Sequence, residues 1–266
     1  MFAVGDRGTA FLDETGYPLE LTKTHFDFLA AVRTCGKRGI WAITVSHVMS
    51  LEPGGEAARR FRLRSIPKDV ICVDGQLWVA DSSGSIQLFD VRGSRPERGP
   101  RIVLADAPIV ALEEDLDGVY AATASGELLH IGFDIERNFE GHELRVPSNK
   151  INQVAEGLRC PGQLDSSYGW VYMTQPCRRG IQRVFRDGTV EGVRVPGRPT
   201  QVLAFGSRLW VATRGGFIHY FKVQSGDPPR LIGKSHLSGP AKAMRICVDK
   251  VWVAHGTKVT RLPIDP

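Results

Sequence analysis

With 266 residues, 42% of them apolar, and with 29 glycines and 16 prolines, the chain has material for a sizeable core and a backbone that turns often. This composition excludes a disordered or low-complexity protein. The net charge of +5 is the small difference between 34 basic and 29 acidic side chains, so the surface is mixed and nucleic acid is not the expected partner. Asp6 and Arg7 interrupt the N-terminus before an apolar leader develops, and no apolar run approaches bilayer length. The expectation is an intracellular, cytoplasmic chain with no transmembrane segment.

Along the chain one outline recurs: an apolar run, a tight polar turn, a second run opening on an aromatic residue, a turn of small residues, and a third run in which apolar and polar residues alternate. The aromatic markers are Phe2, Trp41, Trp78, Tyr120, Trp170, Trp210 and Trp252, separated by 39, 37, 42, 50, 40 and 42 residues. All five tryptophans of the chain are used this way. Period-2 alternation between turn residues argues for strands, and a period near 40 to 50 residues matches a four-stranded propeller blade. Fourth strands are predicted at Phe61 to Arg64, Arg101 to Leu104, Glu143 to Val146, Thr189 to Val195 and near Leu231. The stretches Ser50 to Ala58, Gly93 to Pro100 and Gly226 to Pro229 read as surface loops.

Such a sheet is apolar on both faces and cannot hide both alone, so stacking against neighbours is required. The fold class is therefore all-β, a β-propeller of seven blades with six as the alternative, over 1–266 as a single domain. The first and last repeats are incomplete, which also suits a piece of a longer polypeptide. In the six-bladed alternative, Phe2 to Leu12 would pair into the last blade.

The stretch Gly75 to Asp90, GQLWVADSSGSIQLFD, resembles an NHL-type repeat, and Arg208 to Val223, RLWVATRGGFIHYFKV, resembles a WD-repeat blade. Similarity to the β-propeller superfold, WD-repeat-like in the broad sense, covers essentially the whole chain. What the resemblance implies is a non-catalytic platform for protein partners bound at loops or at a channel mouth. The alternative implication is a lactonase- or lyase-like propeller enzyme acting in an axial channel.

Five cysteines, at 35, 72, 160, 177 and 247, include no CxxC pair and leave an odd count. Unpaired thiols in a reducing compartment are expected, with Cys72 and Cys247 as small core residues. Seven histidines, at 25, 47, 130, 142, 219, 236 and 255, show no HxxxH spacing. They read as satisfied or surface blade residues rather than metal ligands, and no cofactor is expected. Asp74, Asp81, Asp117 and Asp249 read as turn carboxylates, and Glu113, Glu114, Asp115 and Asp117 as a solvated acidic loop. No GxSxG or GxGxxG is present, and Gly233-Lys234-Ser235 lacks the first glycine of a P-loop.

Two basic features remain as candidate partner sites. Arg60, Arg62 and Arg64 alternate with Phe61 and Leu63, placing three guanidinium groups on one face of an outer strand. Such a row either protects an edge from pairing or grips an acidic or phosphorylated partner. Cys177-Arg178-Arg179-Gly180 resembles the Arg-Arg-Gly motif of phosphoinositide-binding propellers, which would imply an anionic headgroup at Arg178 and Arg179. Cys stands there where that family carries Phe or Leu.

Overall fold

The structure is a computed structural model, and it describes residues 2–5, 8–12, 18–22, 29–35, 39–51, 57–92, 97–137, 143–224, 227–247, 249–256 and 258–264. His25, His142 and parts of the predicted loops lie outside them. Among the described residues there are 26 strands and no helix, which bears out the all-β reading.

Strands that follow one another in the chain lie side by side in each sheet. The first sheet is β1 (Phe2–Gly5), β2 (Gly8–Leu12) and β3 (Pro18–Thr22). The second is β4 (Leu29–Cys35), β5 (Gly39–Thr44), β6 (His47–Leu51) and β7 (Ala57–Arg62). The third is β8 (Pro67–Val73), β9 (Gln76–Asp81), β10 (Ser85–Asp90) and β11 (Glu97–Val103). The fourth is β12 (Ile109–Asp115), β13 (Gly118–Thr123), β14 (Leu128–Arg137) and β15 (Glu143–Ala155). The fifth is β16 (Leu164–Ser167), β17 (Trp170–Thr174), β18 (Gly180–Phe185) and β19 (Val190–Arg194). The sixth is β20 (Pro199–Phe205), β21 (Arg208–Thr213), β22 (Phe217–Gln224) and β23 (Asp227–His236), and the last is β24 (Ala241–Cys247), β25 (Lys250–His255) and β26 (Lys258–Pro263). Each aromatic marker falls in a different sheet. Five sheets are complete four-stranded blades, and in the first sheet β2 pairs with both β1 and β3.

The predicted loops are shorter than expected, because β11 takes in residues 97–100 and β23 takes in 227–229. Pro100, Pro228 and Pro229 fit there because both strands lie at a sheet edge, where a missing N–H is tolerated. The Gln87 amide also donates to the carbonyls of Gly99 (2.8 Å) and Pro100 (3.2 Å), where the β10–β11 register shifts.

Two compact units are present, Met1–Thr123 with Ile131–Ile151, and Ala124–His130 with Asn152–Pro266. In the first, β4 packs on β8 and β8 on β12. A core of Trp41, Ile43 and Val48 meets Val70, Leu77, Val79 and Phe89 between the second and third sheets. In the second unit β21 shows how one strand serves two interfaces. Leu209 and Val211 join a cluster with Trp170, Tyr172 and Val193, while Trp210 and Ala212 join one with Met244, Val251 and Val253. Alternate side chains point to opposite faces, so an apolar strand of this kind is buried only if both faces are covered. The markers from Trp41 onward are buried, Trp78 completely.

The first strand of each sheet is an edge, and its outward N–H groups need acceptors. Polar side chains on the preceding sheet supply some of them. Asp69 Oδ2 accepts from Leu112 N (2.8 Å), Gln163 Oε1 from Val202 N (2.7 Å), and Asp165 Oδ2 from Ala204 N (3.0 Å). A second recurring tie is made by turn glycines. The carbonyl of Gly84 accepts from Leu104 and Ala105, that of Gly126 from Leu158, and that of Gly216 from Leu237. Gly84 has φ +77°, and a Cβ there would stand 1.8 Å from the Ala105 carbonyl oxygen.

The cysteines depart from expectation. Cys35 and Cys72 form a disulfide with Cα atoms 5.4 Å apart, linking β4 to β8, and Cys160 is bonded to Cys177. Separations of 37 and 17 residues carry no motif, and only the packing of one sheet on the next brings Cys35 and Cys72 together. Pairing removes the ground on which a reducing compartment was expected. Cys247 is exposed with a free thiol rather than a core residue, because its end of β24 faces outward.

Candidate partner-binding crease

On β7 the alternation works as its sequence suggests. Phe61 and Leu63 pack inward against the core shared with the third sheet, Phe61 meeting the Phe89 ring at 5.2 Å. Arg60, Arg62 and Arg64 are all exposed. β7 ends at Arg62, but Leu63 N donates to Ser46 O (2.8 Å), which continues the pairing and keeps Arg64 in the row.

The outer strand of the next sheet brings two more arginines to the same place. Arg98 of β11 donates to the Arg62 carbonyl, and its guanidinium stands 5.8 Å from the centre of the Phe89 ring. Arg101 reaches Asp81 Oδ2 (3.2 Å) and Ser83 Oγ (2.6 Å), while its buried Nε has no protein partner. Arg62, Arg64, Arg98 and Arg101 thus border one crease with Asp81 and Gln87. The enclosed space is only about 10 Å³, room for a water rather than a ligand. What the crease offers is a charged surface. Among the described residues no carboxylate pairs with Arg62, Arg64 or Arg98. Four like charges held near one another with a single carboxylate among them cost self-repulsion that an anionic partner would relieve.

Asp81 is the one carboxylate in the crease, and its lone pairs are committed. It accepts from Ser83 N (2.8 Å), Ser83 Oγ (2.5 Å) and Ser85 N (3.3 Å) in addition to Arg101. This is the turn role expected of it.

The other predicted residues lie elsewhere. Arg178 and Arg179 sit exposed on the β17–β18 turn, in the second unit, with Arg178 N donating to Gln175 O (2.9 Å). The Cys160–Cys177 bond staples that turn to the chain before β16. Asp74 and Asp249 occupy turns with φ of +44° and +54°. The acidic run is not a solvated loop. Glu113, Glu114 and Asp115 belong to β12 and are half-buried, and Arg145 of β15 bridges Glu114 (2.8 Å) and Asp74 (2.7 Å) across two sheets while lying 5.0 Å from the Phe133 ring centre. Hydrogen bonding from Arg145 outweighs burial and holds the Asp74 carboxyl below the usual carboxylate range, whereas burial pushes Glu114 up. Gly233-Lys234-Ser235 is part of β23, not a phosphate loop. His130, His219 and His255 lie on strands, and His255 is bonded to Thr260 Oγ1 (2.6 Å) and Ser238 Oγ (3.3 Å). Among the described residues no cluster of His, Cys, Asp or Glu could hold a metal ion, and no helix is long and apolar enough to cross a membrane.

Sequence reasoning missed Arg98 because Glu97 to Pro100 looked like loop, and missed Arg101, already placed on a predicted outer strand, because nothing local sets that strand beside β7. The available signal was that both consecutive outer strands carry arginines.

No family model and no curated protein matches the chain. Solved structures do. The chain is similar to BBS1N in its complex with ARL6DN (14% identity, 96% of this chain and 86% of that one, TM-score 0.69). It is similar to the Pan2 WD40 domain of Neurospora crassa (13% identity, 96% and 81%, TM-score 0.65). It is also similar to the dihydro-heme d1 dehydrogenase NirN in complex with DHE (15% identity, 98% and 59%, TM-score 0.66). The fold is a β-propeller, of a kind found in WD40 domains and in an enzyme alike. At these identities the likeness carries fold and not function.

Proposed function

We propose that this chain is a non-catalytic propeller scaffold whose arginine crease docks an acidic segment of a partner protein. The observation that carries the reading is the convergence of Arg62 and Arg64 with Arg98 and Arg101 from the adjacent outer strand, three of these four with no carboxylate partner among the described residues, while Arg60 lies exposed on β7. The packed blades fix the backbone that carries these side chains, so the ordering left to be lost on binding is that of the arginine side chains alone. Guanidinium groups in a row suit bidentate pairing with carboxylates, and a phosphoryl group would add charge to the same contact. BBS1N, a structural neighbour, is known in complex with another protein, ARL6DN, which supports protein docking as a use of this fold.

A fluorescein-labelled peptide of alternating Glu and phosphoserine tests the reading by anisotropy. Binding should weaken steeply as salt rises and fall at least tenfold in an Arg62→Glu/Arg64→Glu/Arg98→Glu variant. Equal binding by wild type and variant would show that the crease is only a protected edge.

A further inference from the structure

A second feature stands apart from the crease. His219, on β22, is 2% exposed, and neither ring nitrogen has a hydrogen-bond partner. The Pro196 carbonyl lies near enough to oppose the effect of burial without reaching hydrogen-bond geometry. A buried polar group left unsatisfied costs free energy and calls for an explanation, of which a bound molecule is one.

The surroundings indicate what that molecule would be. His219 lies directly opposite Lys234 in the β22–β23 register, so both side chains share one face of the sheet. Just beyond, the register shifts between Tyr220 and Phe221, leaving Ile232 without an opposite residue. An extra residue of this kind lets consecutive side chains crowd the same region, and Leu231 and Ile232 both line the space above the imidazole. With Pro196 and Gly233 they line an open depression of about 410 Å³, within the size range of small-molecule sites. Lys234, whose Nζ stands 5.6 Å from the Phe217 ring centre, is the only charged residue of the lining among the described residues. Burial, with the Lys234 charge adding to it, holds the imidazole below its usual range, so His219 is neutral at pH 7 and keeps one N–H to donate.

We infer that this pocket binds a small amphipathic monocarboxylate, its apolar body against Pro196, Leu231 and Ile232 and its carboxylate between the Lys234 ammonium and the His219 N–H. A cation would meet Lys234 and no carboxylate, and a fully polar anion would leave the apolar wall wet. The inference does not rest on the arginine crease, which lies in the other unit.

Octanoate is the probe, titrated calorimetrically into the full chain at pH 7.5, with acetate and octan-1-ol as comparisons. Octanoate should bind saturably and at least tenfold more tightly than either comparison compound. Lys234→Met, at an exposed position, should weaken octanoate at least tenfold with the circular dichroism spectrum unchanged. By NMR, bound octanoate should raise the pKa of His219, since a carboxylate beside the ring favours imidazolium. The inference is overturned by no saturation at about 10 mM octanoate, the millimolar limit of weak specific binding. Affinity unchanged in Lys234→Met, or a His219 titration indifferent to octanoate, overturns it equally, and neither readout depends on His219 variants folding.

Discussion

If the tryptophans are the packing units of the blades, Trp78→Ala should be among the most destabilising single changes in the chain. Trp78 is completely buried, stands opposite Ile71 and Leu88 on its two neighbouring strands, and meets Phe133 edge-on with ring centres 6.1 Å apart. A buried aromatic removes about 150 to 250 Å² from water, which at about 25 cal/mol per Å² amounts to about 4 to 6 kcal/mol. Denatured chains already bury part of that area, so about 3 to 5 kcal/mol is the expected loss. Trp78→Phe separates area from polarity. The indole Nε1 has no partner, so replacing it breaks no hydrogen bond, and the cost should be only about 1 to 2 kcal/mol. Urea unfolding followed by circular dichroism reads both as midpoint shifts at constant slope. A loss below about 1 kcal/mol for the alanine variant, or equal losses for the two variants, would refute the reasoning.

Gly84→Ala should cost at least about 2 kcal/mol in the same assay, because the turn requires φ +77° and the added Cβ would stand 1.8 Å from a backbone oxygen that cannot move away independently. Thiol titration of the denatured, unreduced chain should find a single free thiol, Cys247, and Cys35→Ser/Cys72→Ser should lower stability by about 3 to 4 kcal/mol, the loop-closure value for their separation; five titratable thiols would contradict both bonds. Asp74 is held below its ordinary pKa of 3.8 by Arg145, so its stabilising contribution is complete above that value and is lost as pH falls through the lower folded-state pKa. The stability gap between wild type and Asp74→Asn should therefore be constant from pH 5 upward and close on acidification below pH 4; a gap that widens in acid would contradict the assignment.

Much of the architecture is written locally. The Trp-Val-Ala triplets betray the strands because a doubly buried strand needs large and small apolar residues in alternation, and that need is visible within six residues. The arginine row is legible for the same reason, since Phe61 and Leu63 commit their face to the core. What is not legible depends on which sheets touch. Asp69 looks like any strand carboxylate until Leu112 N is seen 2.8 Å away on the next sheet. Cys35 and Cys72 share no motif, and Glu114 resembles a surface charge until Arg145 is placed beside it. Arg98 follows a Pro-rich stretch that mimics a loop, although an edge strand accommodates proline. His219 reads as one more satisfied blade histidine, because nothing local records that both ring nitrogens lack a partner.

The measurement that bears most directly on the scaffold reading is the quantitative recovery of bound protein by the wild-type chain and by the Arg62→Glu/Arg64→Glu/Arg98→Glu variant, at matched levels and with folding verified by circular dichroism. The expected result is a stoichiometric partner carrying an acidic segment, held by the wild type, released by salt and lost from the variant. Retention of the same partner by the charge-reversed chain would contradict the assignment of docking to the arginine crease.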